Sequence, residues 1–479
     1  MSRTIVGPFN RVEGDLEVHL DIADGAVRDA HVVSPMYRGF EQILHGKAPA
    51  DALVYTPRIC GICSVAQSMA AARALAEAEG TAMPPNGTLA VNLILAAENA
   101  ADHLTHFYLF FMPDFCRSGY AGEPWHAEAS RRFKAVEGEA VREMLPARAA
   151  FMHMLGLLAG KWPHTLSIQP GGTTRAIDAT EQMRLTGVLA GFRRFLERTL
   201  YGDRLERIAG LASVDELEAW GAEAPAFSSD FRSFLSIARA VGLAAMGAGP
   251  GRYMSYGAYD GLFVQGVYAD GAVAALDAAQ IAEDMSHSWM AHRNGPRHPF
   301  DGITTPDADA EGGYTWCKAP RLGGAVVEVG ALARQLVDDQ PLLRAMAGRS
   351  GGSVLARVVA RMVEIARTVI AMEGWVRALK PREPFYTRGQ MPDDAQGAGL
   401  IEAARGSLGH WLRVRNGRIL NYQIIAPTTW NFSPRDKGGQ RGALEQALIG
   451  AAVRTGEADP LAVQHIVRSF DPCMVCTVH

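Results

Sequence analysis

A pair of closely spaced cysteines near each end of the chain constrains the fold more than any other feature. Cys60-Gly61-Ile62-Cys63 lies near the start and Cys473-Met474-Val475-Cys476 close to the end, and together they use four of the six cysteines in 479 residues. Thiolates are soft donors, and two such turns from distant segments can close around one metal centre as a four-sulfur site. A chain that builds one must fold with its two ends together. Cys116 and Cys317 have no close-spaced partner, and six cysteines are too few for a disulfide scaffold at this length, so a reducing, cytoplasmic setting is expected.

The length exceeds the range of one compact core, so several subdomains around a large shared core are expected, which an apolar share of 48% supports. A formal net charge of -4 without any basic run argues against a nucleic-acid partner. The stretch Met1-Ser2-Arg3-Thr4-Ile5-Val6 lacks the pattern of a signal peptide, and charged residues interrupt every long apolar stretch, so no membrane insertion is expected.

Residues 4 to 34 alternate, with Leu16, Val18, Leu20 and Ile22 on one face and Asp24-Gly25 as a turn before Val27, Ala30 and Val32, which predicts a β-hairpin. Pro57 precedes the first cysteine pair, and Ser64 stands where it would cap a helix running to about Glu79. Helical periodicity dominates to about residue 380, in segments near 88–112, 128–160, 178–208, 272–293 and 352–380, divided by Gly- and Pro-rich loops at 169–172, 247–251 and 294–313. A second hairpin is predicted where residues 411–415 and 418–425 flank Asn416-Gly417, and a last helix over about 443–455 precedes the terminal cysteines. The fold class is α+β, predominantly helical, with a long-helix core, an N-terminal and a late β-hairpin, and both termini converging on a buried metal site. One domain is expected over 1–479: a β region over 1–60, a mainly helical core over 61–400, and the late hairpin with the C-terminal cysteine motif over 401–479.

Two Cys-x-x-Cys pairs are the common signature of structural zinc. Against zinc stand a separation of about 410 residues, far beyond that of zinc ribbons, and bulky apolar neighbours. Ionisable groups also gather at both pairs, with Arg58 before Cys60, Asp471 before Cys473 and His479 after Cys476. A reactive metal with proton carriers around it fits better, with zinc as the alternative.

Arg58-Ile59-Cys60-Gly61-Ile62-Cys63 and Asp471-Pro472-Cys473-Met474-Val475-Cys476-Thr477-Val478-His479 resemble the two signature motifs of the large, catalytic subunit of nickel-iron hydrogenases. The likeness continues through Arg11-Val12-Glu13-Gly14, Tyr37-Arg38-Gly39-Phe40-Glu41, Asp102-His103-Leu104-Thr105-His106-Phe107-Tyr108, Pro170-Gly171-Gly172, Glu402-Ala403-Ala404-Arg405-Gly406 and Asn421-Tyr422-Gln423 to Pro427-Thr428-Thr429-Trp430-Asn431. The resemblance implies that Cys60, Cys63, Cys473 and Cys476 bind nickel, Cys63 and Cys476 also bridging to an iron that carries one carbon monoxide and two cyanides. Such a centre splits dihydrogen heterolytically and reversibly. Glu13 matches the carboxyl that exchanges protons with a terminal cysteine. Arg405 and Thr428 match donors to the cyanides, and Asp102 and Asp471 match carboxylates that flank the arginine. Glu41, His479 and the backbone carbonyl of about Ile424 match ligands of magnesium or another divalent cation.

Three departures refine the resemblance. Gln67 stands where most relatives have histidine, which keeps a donor but loses the titratable group. Ala404 replaces the usual proline before the arginine, which bears on the local backbone of the cyanide-binding segment. Ile62 and Phe110 match gas-channel positions that usually carry smaller residues, and with Gln67 they resemble the regulatory, hydrogen-sensing branch, where a narrow channel would exclude oxygen. Catalytic relatives usually carry a C-terminal extension beyond this histidine, so if His479 ends the complete gene product the sensory group is favoured again. The resemblance implies an obligate small subunit holding the iron-sulfur clusters, possible pairing of two heterodimers, and, for a sensor, a signalling histidine kinase. An energy-conserving uptake hydrogenase is the alternative; retention of all four cysteines argues against a non-catalytic scaffold subunit.

Overall fold

The computed structural model describes residues 2–291, 295–454 and 456–479. The N-terminal alternation forms β1 (Ser2–Val6), β2 (Glu17–Ala23) and β3 (Ala26–Val33), one antiparallel sheet in that order. Asp24 and Gly25 take φ of 53° and 69° in its tight turn, as an Asp-Gly pair favours. Val18, Leu20, Val27, Ala30 and Val32 are buried beneath this sheet. A short helix, α1 (Phe40–Leu44), then carries Glu41 inward.

The helical middle consists mainly of α2 (Ser64–Glu79), α3 (Pro85–Thr105), α4 (Glu139–Ala159), α5 (Ala179–Phe195), α6 (Ala331–Val337) and α7 (Val354–Ala378). α7 is the centre of the bundle. Val354, Val358, Val359, Met362, Val363, Ile365, Val369 and Met372 point to more than one side of it, and all are fully buried. The predicted 88–112 segment is α3 followed by a π-helical turn over His106–Phe111, and the 178–208 segment likewise ends in a π turn over Leu196–Tyr201. The 128–160 segment breaks in two before α4 at residues 134–138, where Gly138 sits against the carbonyls of Arg132 and Lys134.

The predicted helix over 272–293 is absent from its described part, residues 292 and 293 lying outside the described residues. β4 (Arg252–Ala258), β5 (Phe263–Ala269) and β6 (Ala272–Ala274) form an antiparallel sheet there, and β7 (Ile281–Asp284) pairs with β8 (Ala319–Leu322). Asp270-Gly271, with φ of 50° and 80°, turns the chain back on itself, so local turn chemistry overrides the alanine-rich helical pattern.

The late hairpin is the outer part of a three-stranded sheet, β9 (Ala395–Ala403), β10 (Gly406–Arg415) and β11 (Arg418–Ile425), so the boundary expected at 400/401 falls inside β9. β9 lies directly on α2. A Cβ at Gly399 would stand 1.8 Å from the carbonyl oxygen of Ala70, so this contact requires glycine facing a row of alanines. The contact brings Arg405, on the β9–β10 turn, beside the start of α2. The chain ends through α8 (Pro427–Asn431), α9 (Ala443–Leu448), α10 (Leu461–Ser469) and α11 (Met474–Thr477). The helix expected over 443–455 stops at Leu448, and Thr455 lies outside the described residues.

Candidate metal centre

Each cysteine pair sits where a loop becomes a helix, and the rest of the chain ties both turns down. Cys63 is the residue before α2, and the N–H groups of Val65 and Ala66 donate to the two carboxylate oxygens of Glu98 at 2.9 and 3.0 Å. Trp162 Nε1 donates to the same carboxylate at 2.8 Å. Ser64, expected as the cap, is instead the first helical residue, and its Oγ accepts from the His164 N–H at 3.3 Å. A carboxylate satisfies two terminal N–H groups where a hydroxyl satisfies one, which is why the distant Glu98 does the capping.

At the other end, Cys473 N–H donates to Thr428 Oγ1 at 3.1 Å, and Met474 N–H donates to the carbonyl of Glu13 at 2.7 Å. Arg38 spans both motifs, donating to the carbonyls of Ile59, at 2.6 Å, and Val475. All four sulfurs, from buried Cys60, Cys63, Cys473 and Cys476, lie within 4.8 Å of one another. The closest pairs are Cys60–Cys473 at 3.5 Å, Cys63–Cys476 at 3.2 Å and Cys473–Cys476 at 3.0 Å.

Four thiols this close cannot all ionise without a cation. Hydrogen bonds from Cys473, Cys476 and Cys63 hold Cys60 as the thiolate, well below the usual thiol range. Burial and the neighbouring sulfurs push Cys473 and Cys476 up, and bonds to the other thiols do the same for Cys63. A soft metal would reverse this by taking all four as thiolates. Beside them is a narrow cavity, about 10 Å³, lined by Cys63, Gln67, Ala403, Arg405, Leu408, Pro427, Thr428, Cys473 and Cys476. Its polar groups are donors and its other walls are apolar, a set that suits small anionic and neutral diatomic ligands on a metal held by Cys63 and Cys476.

Arg405 is fixed on the far wall. Its Nη1 donates to Asp102 Oδ2 at 2.6 Å, its Nη2 to Asp471 Oδ1 at 3.1 Å and its Nε to the Asp471 carbonyl at 3.0 Å. Burial drives Asp102 up despite this pairing, whereas Arg405 and nearby cations outweigh burial at Asp471 and hold it down. Asp102 Oδ1 and Asp471 Oδ2 remain buried without a partner among the described residues. Glu13 forms an isolated parallel bridge with Cys473, which fixes it next to the sulfurs. Burial and the Cys60 thiolate push its carboxyl up, with Arg405 and Arg38 opposing, and a carboxyl placed beside a thiol can give and take its proton.

Ala404 is buried but does not line the cavity, because its carbonyl accepts from Arg334 Nη2 at 2.9 Å. Ile62 and Phe110 are partly buried, and neither lines the cavity. Phe110 lies on the π turn after α3, its carbonyl accepting from Arg11 Nη1 at 2.7 Å.

A second cluster lies behind the C-terminal pair. His479 Nδ1 is 2.7 Å from the Cys476 carbonyl, to which it donates, and its Nε2 is 3.2 Å from Glu41 Oε1. Ile424 contributes its N–H to Glu41 Oε1 at 2.8 Å. Burial alone would raise Glu41, but Lys318, His479 and Thr304 hold it down at about 2. Lys318 Nζ also pairs with Glu283 Oε2 at 2.9 Å, while Glu283 Oε1 is buried without a partner among the described residues, an acceptor that a metal-bound water would satisfy. The carboxylates of Glu41 and Glu283 are hard oxygen donors of the kind magnesium takes, and His479 adds one nitrogen. Lys318 and Glu283 were not identifiable from the sequence, nor were Glu98, Arg334 and His410: no motif or spacing marks them.

The chain matches the nickel-dependent hydrogenase family over residues 38–137 and 141–479. It is 31% identical to the periplasmic [NiFeSe] hydrogenase large subunit of Desulfomicrobium baculatum, covering 99% of this chain and 94% of that one. It is 26% identical to the quinone-reactive Ni/Fe-hydrogenase large chain of Wolinella succinogenes, covering 100% and 96%. The solved H2-activated [NiFeSe] hydrogenase of Dm. baculatum superposes with a TM-score of 0.85 at 30% identity, with both chains covered in full. With four buried thiols gathered from its two ends, the chain belongs to the nickel-dependent hydrogenase family, as a large, metal-binding subunit of the enzyme.

Proposed function

We propose that this subunit oxidises dihydrogen, reversibly and heterolytically, at a nickel-iron centre bearing one carbon monoxide and two cyanides, as part of a cytoplasmic, oxygen-tolerant hydrogen sensor of low turnover. The observation that carries the chemistry is the cavity where Cys63 and Cys476 meet Arg405 and Thr428. Cys60, Cys63, Cys473 and Cys476 would hold nickel, with Cys63 and Cys476 shared with iron, and the centre when bound supplies a Lewis acid and an electron acceptor. Arg405, pinned by Asp102 and Asp471, holds a fixed positive charge toward the cavity, and Thr428 presents its hydroxyl there. Glu13 receives the proton from a terminal cysteine thiol and passes it toward solvent. Glu41 and His479 would hold magnesium behind Cys476. The four motif cysteines are committed, so electrons leave through iron-sulfur clusters of a small subunit in an obligate heterodimer.

The sensory reading is supported by Gln67, Ile62 and Phe110, and it implies a signalling histidine kinase as partner. The name of the quinone-reactive Wolinella relative favours the uptake alternative, which predicts high turnover and a respiratory carrier as partner. Metal analysis with infrared spectroscopy tests the centre. Nickel and iron in equal amounts with carbonyl and cyanide bands are expected, and zinc alone would overturn it. Turnover and the co-purifying partner decide between sensor and uptake enzyme.

A further inference from the structure

Gln67 carries a buried donor with nothing to bind. It lies one turn after Cys63 on α2, is fully buried, and lines the cavity beside Cys63 and Cys476. Its Oε1 is 2.8 Å from His410 Nε2, and its Nε2 has no partner among the described residues. His410, on β10, is itself fully buried, and its Nδ1 lies 2.8 Å from the Tyr422 hydroxyl on β11.

The direction of this chain of hydrogen bonds decides what faces the metal. Burial takes His410 down to about 3, so the ring is neutral and carries one N–H. With the proton on Nε2, the ring donates to Gln67 Oε1 and accepts the Tyr422 hydroxyl proton, and the Gln67 amide N–H2 is left for the cavity. With the proton on Nδ1, the Tyr422 hydroxyl proton loses its acceptor, and Gln67 must turn its carbonyl oxygen toward the sulfurs. The second arrangement strands a buried hydroxyl and sets a lone pair against thiolates, so the first is preferred.

We propose that His410 is a positioning residue that, with Tyr422 behind it, locks the Gln67 amide so that its N–H2 donates into the cavity to an anionic acceptor at Cys63. The inference rests on the metal centre proposed above. A donor at that place draws electron density away from iron, so its loss moves the carbonyl stretch to lower wavenumber.

The test is infrared spectroscopy of the metal-loaded heterodimer carrying His410→Phe, His410→Gln or Tyr422→Phe, with nickel and iron measured in the same samples. His410→Phe should lower the carbonyl band. His410→Gln, whose amide nitrogen takes the place of Nε2, should restore it. Tyr422→Phe frees the ring tautomer and should shift or split the band. Unmoved bands in loaded His410→Phe and Tyr422→Phe would overturn the proposal, and if His410→Phe does not load, Tyr422→Phe alone decides. Missing carbonyl and cyanide bands in the unsubstituted protein would instead refute the centre itself and this inference with it, a distinguishable failure.

Discussion

Arg334→Met tests the proposition that a buried charge cluster, remote from the sulfurs, holds the active-site arginine in place. Arg334 is about 1% exposed on α6 and uses its full donor set. It binds Glu364 through Nε at 3.0 Å and Nη2 at 2.7 Å, Glu402 through Nη1 at 2.7 Å, and the carbonyls of Ala403 and Ala404 at 2.8 and 2.9 Å. Methionine fills similar volume but leaves two buried carboxylates uncompensated, a loss of about 3–5 kcal/mol. For 479 residues unfolding as one unit the unfolding entropy is about 1 kcal/mol/K, so Tm should fall by about 3–5 °C. The sign of the pH dependence is fixed too. Burial raises Glu364, but Arg334 and His103 outweigh it and hold the carboxyl at about 2, against 4.5 for the free side chain. That depression contributes stability above about pH 4.5, lost as pH falls through about 2. Burial already holds Glu402 above the free value despite Arg334, and without Arg334 both carboxylates move up, so the deficit should be largest at neutral pH and shrink on acidification as they protonate. Thermal unfolding across pH checks this, alongside hydrogen uptake, which should fall as Arg405 loses its support. An unchanged Tm, or a deficit that grows on acidification, would refute the argument.

Glu13→Gln should keep nickel and iron but lose most hydrogen-deuterium exchange, because an amide cannot take up the proton; full exchange would remove the relay role. Glu98→Ala should cost about 1–3 kcal/mol by stranding the Val65 and Ala66 N–H groups, read as a lower Tm and reduced nickel content, since those groups set the start of the helix after Cys63. Replacing Ile62 by Val together with Phe110 by Leu should make hydrogen oxidation oxygen-sensitive, and unchanged tolerance in an activity assay under air would end the gas-filter reading.

What could be read from the sequence was what is local. Asp24-Gly25 and Asn416-Gly417 impose positive φ on their own turns, and the hairpins follow wherever the chain goes afterwards. The helical period of α7 is visible because its own residues repeat it. The Ala-rich stretch after residue 271 misleads for the same reason: its composition favours helix, yet Asp270-Gly271 commits it to pairing with β5. The cysteines were legible because four rare residues in two spaced pairs carry their meaning without neighbours. Glu98, Lys318, Arg334 and His410 were not, since a buried polar group is defined by partners tens to hundreds of residues away, as Glu98 is by Val65 and Trp162 and Lys318 by Glu41 and Glu283.

A further set of buried polar ties explains how the two ends meet. Arg468, on the last long helix, binds Asp114 at 2.8 Å and the carbonyl of Asn10 at 2.7 Å, while Arg11 and Arg117 bind the same Asp114. This grips from behind the loop that presents Glu13, and it does so without the sulfurs. Arg38 does the same between the two cysteine turns, and Glu41 between α1 and the terminal histidine. Each tie joins the N-terminal region to a later part of the chain, so the thiols are held near one another by bonds other than their own. A centre assembled that way places donors and charges before the reaction starts, and such groups stabilise developing charge without reorganising at the moment of transfer.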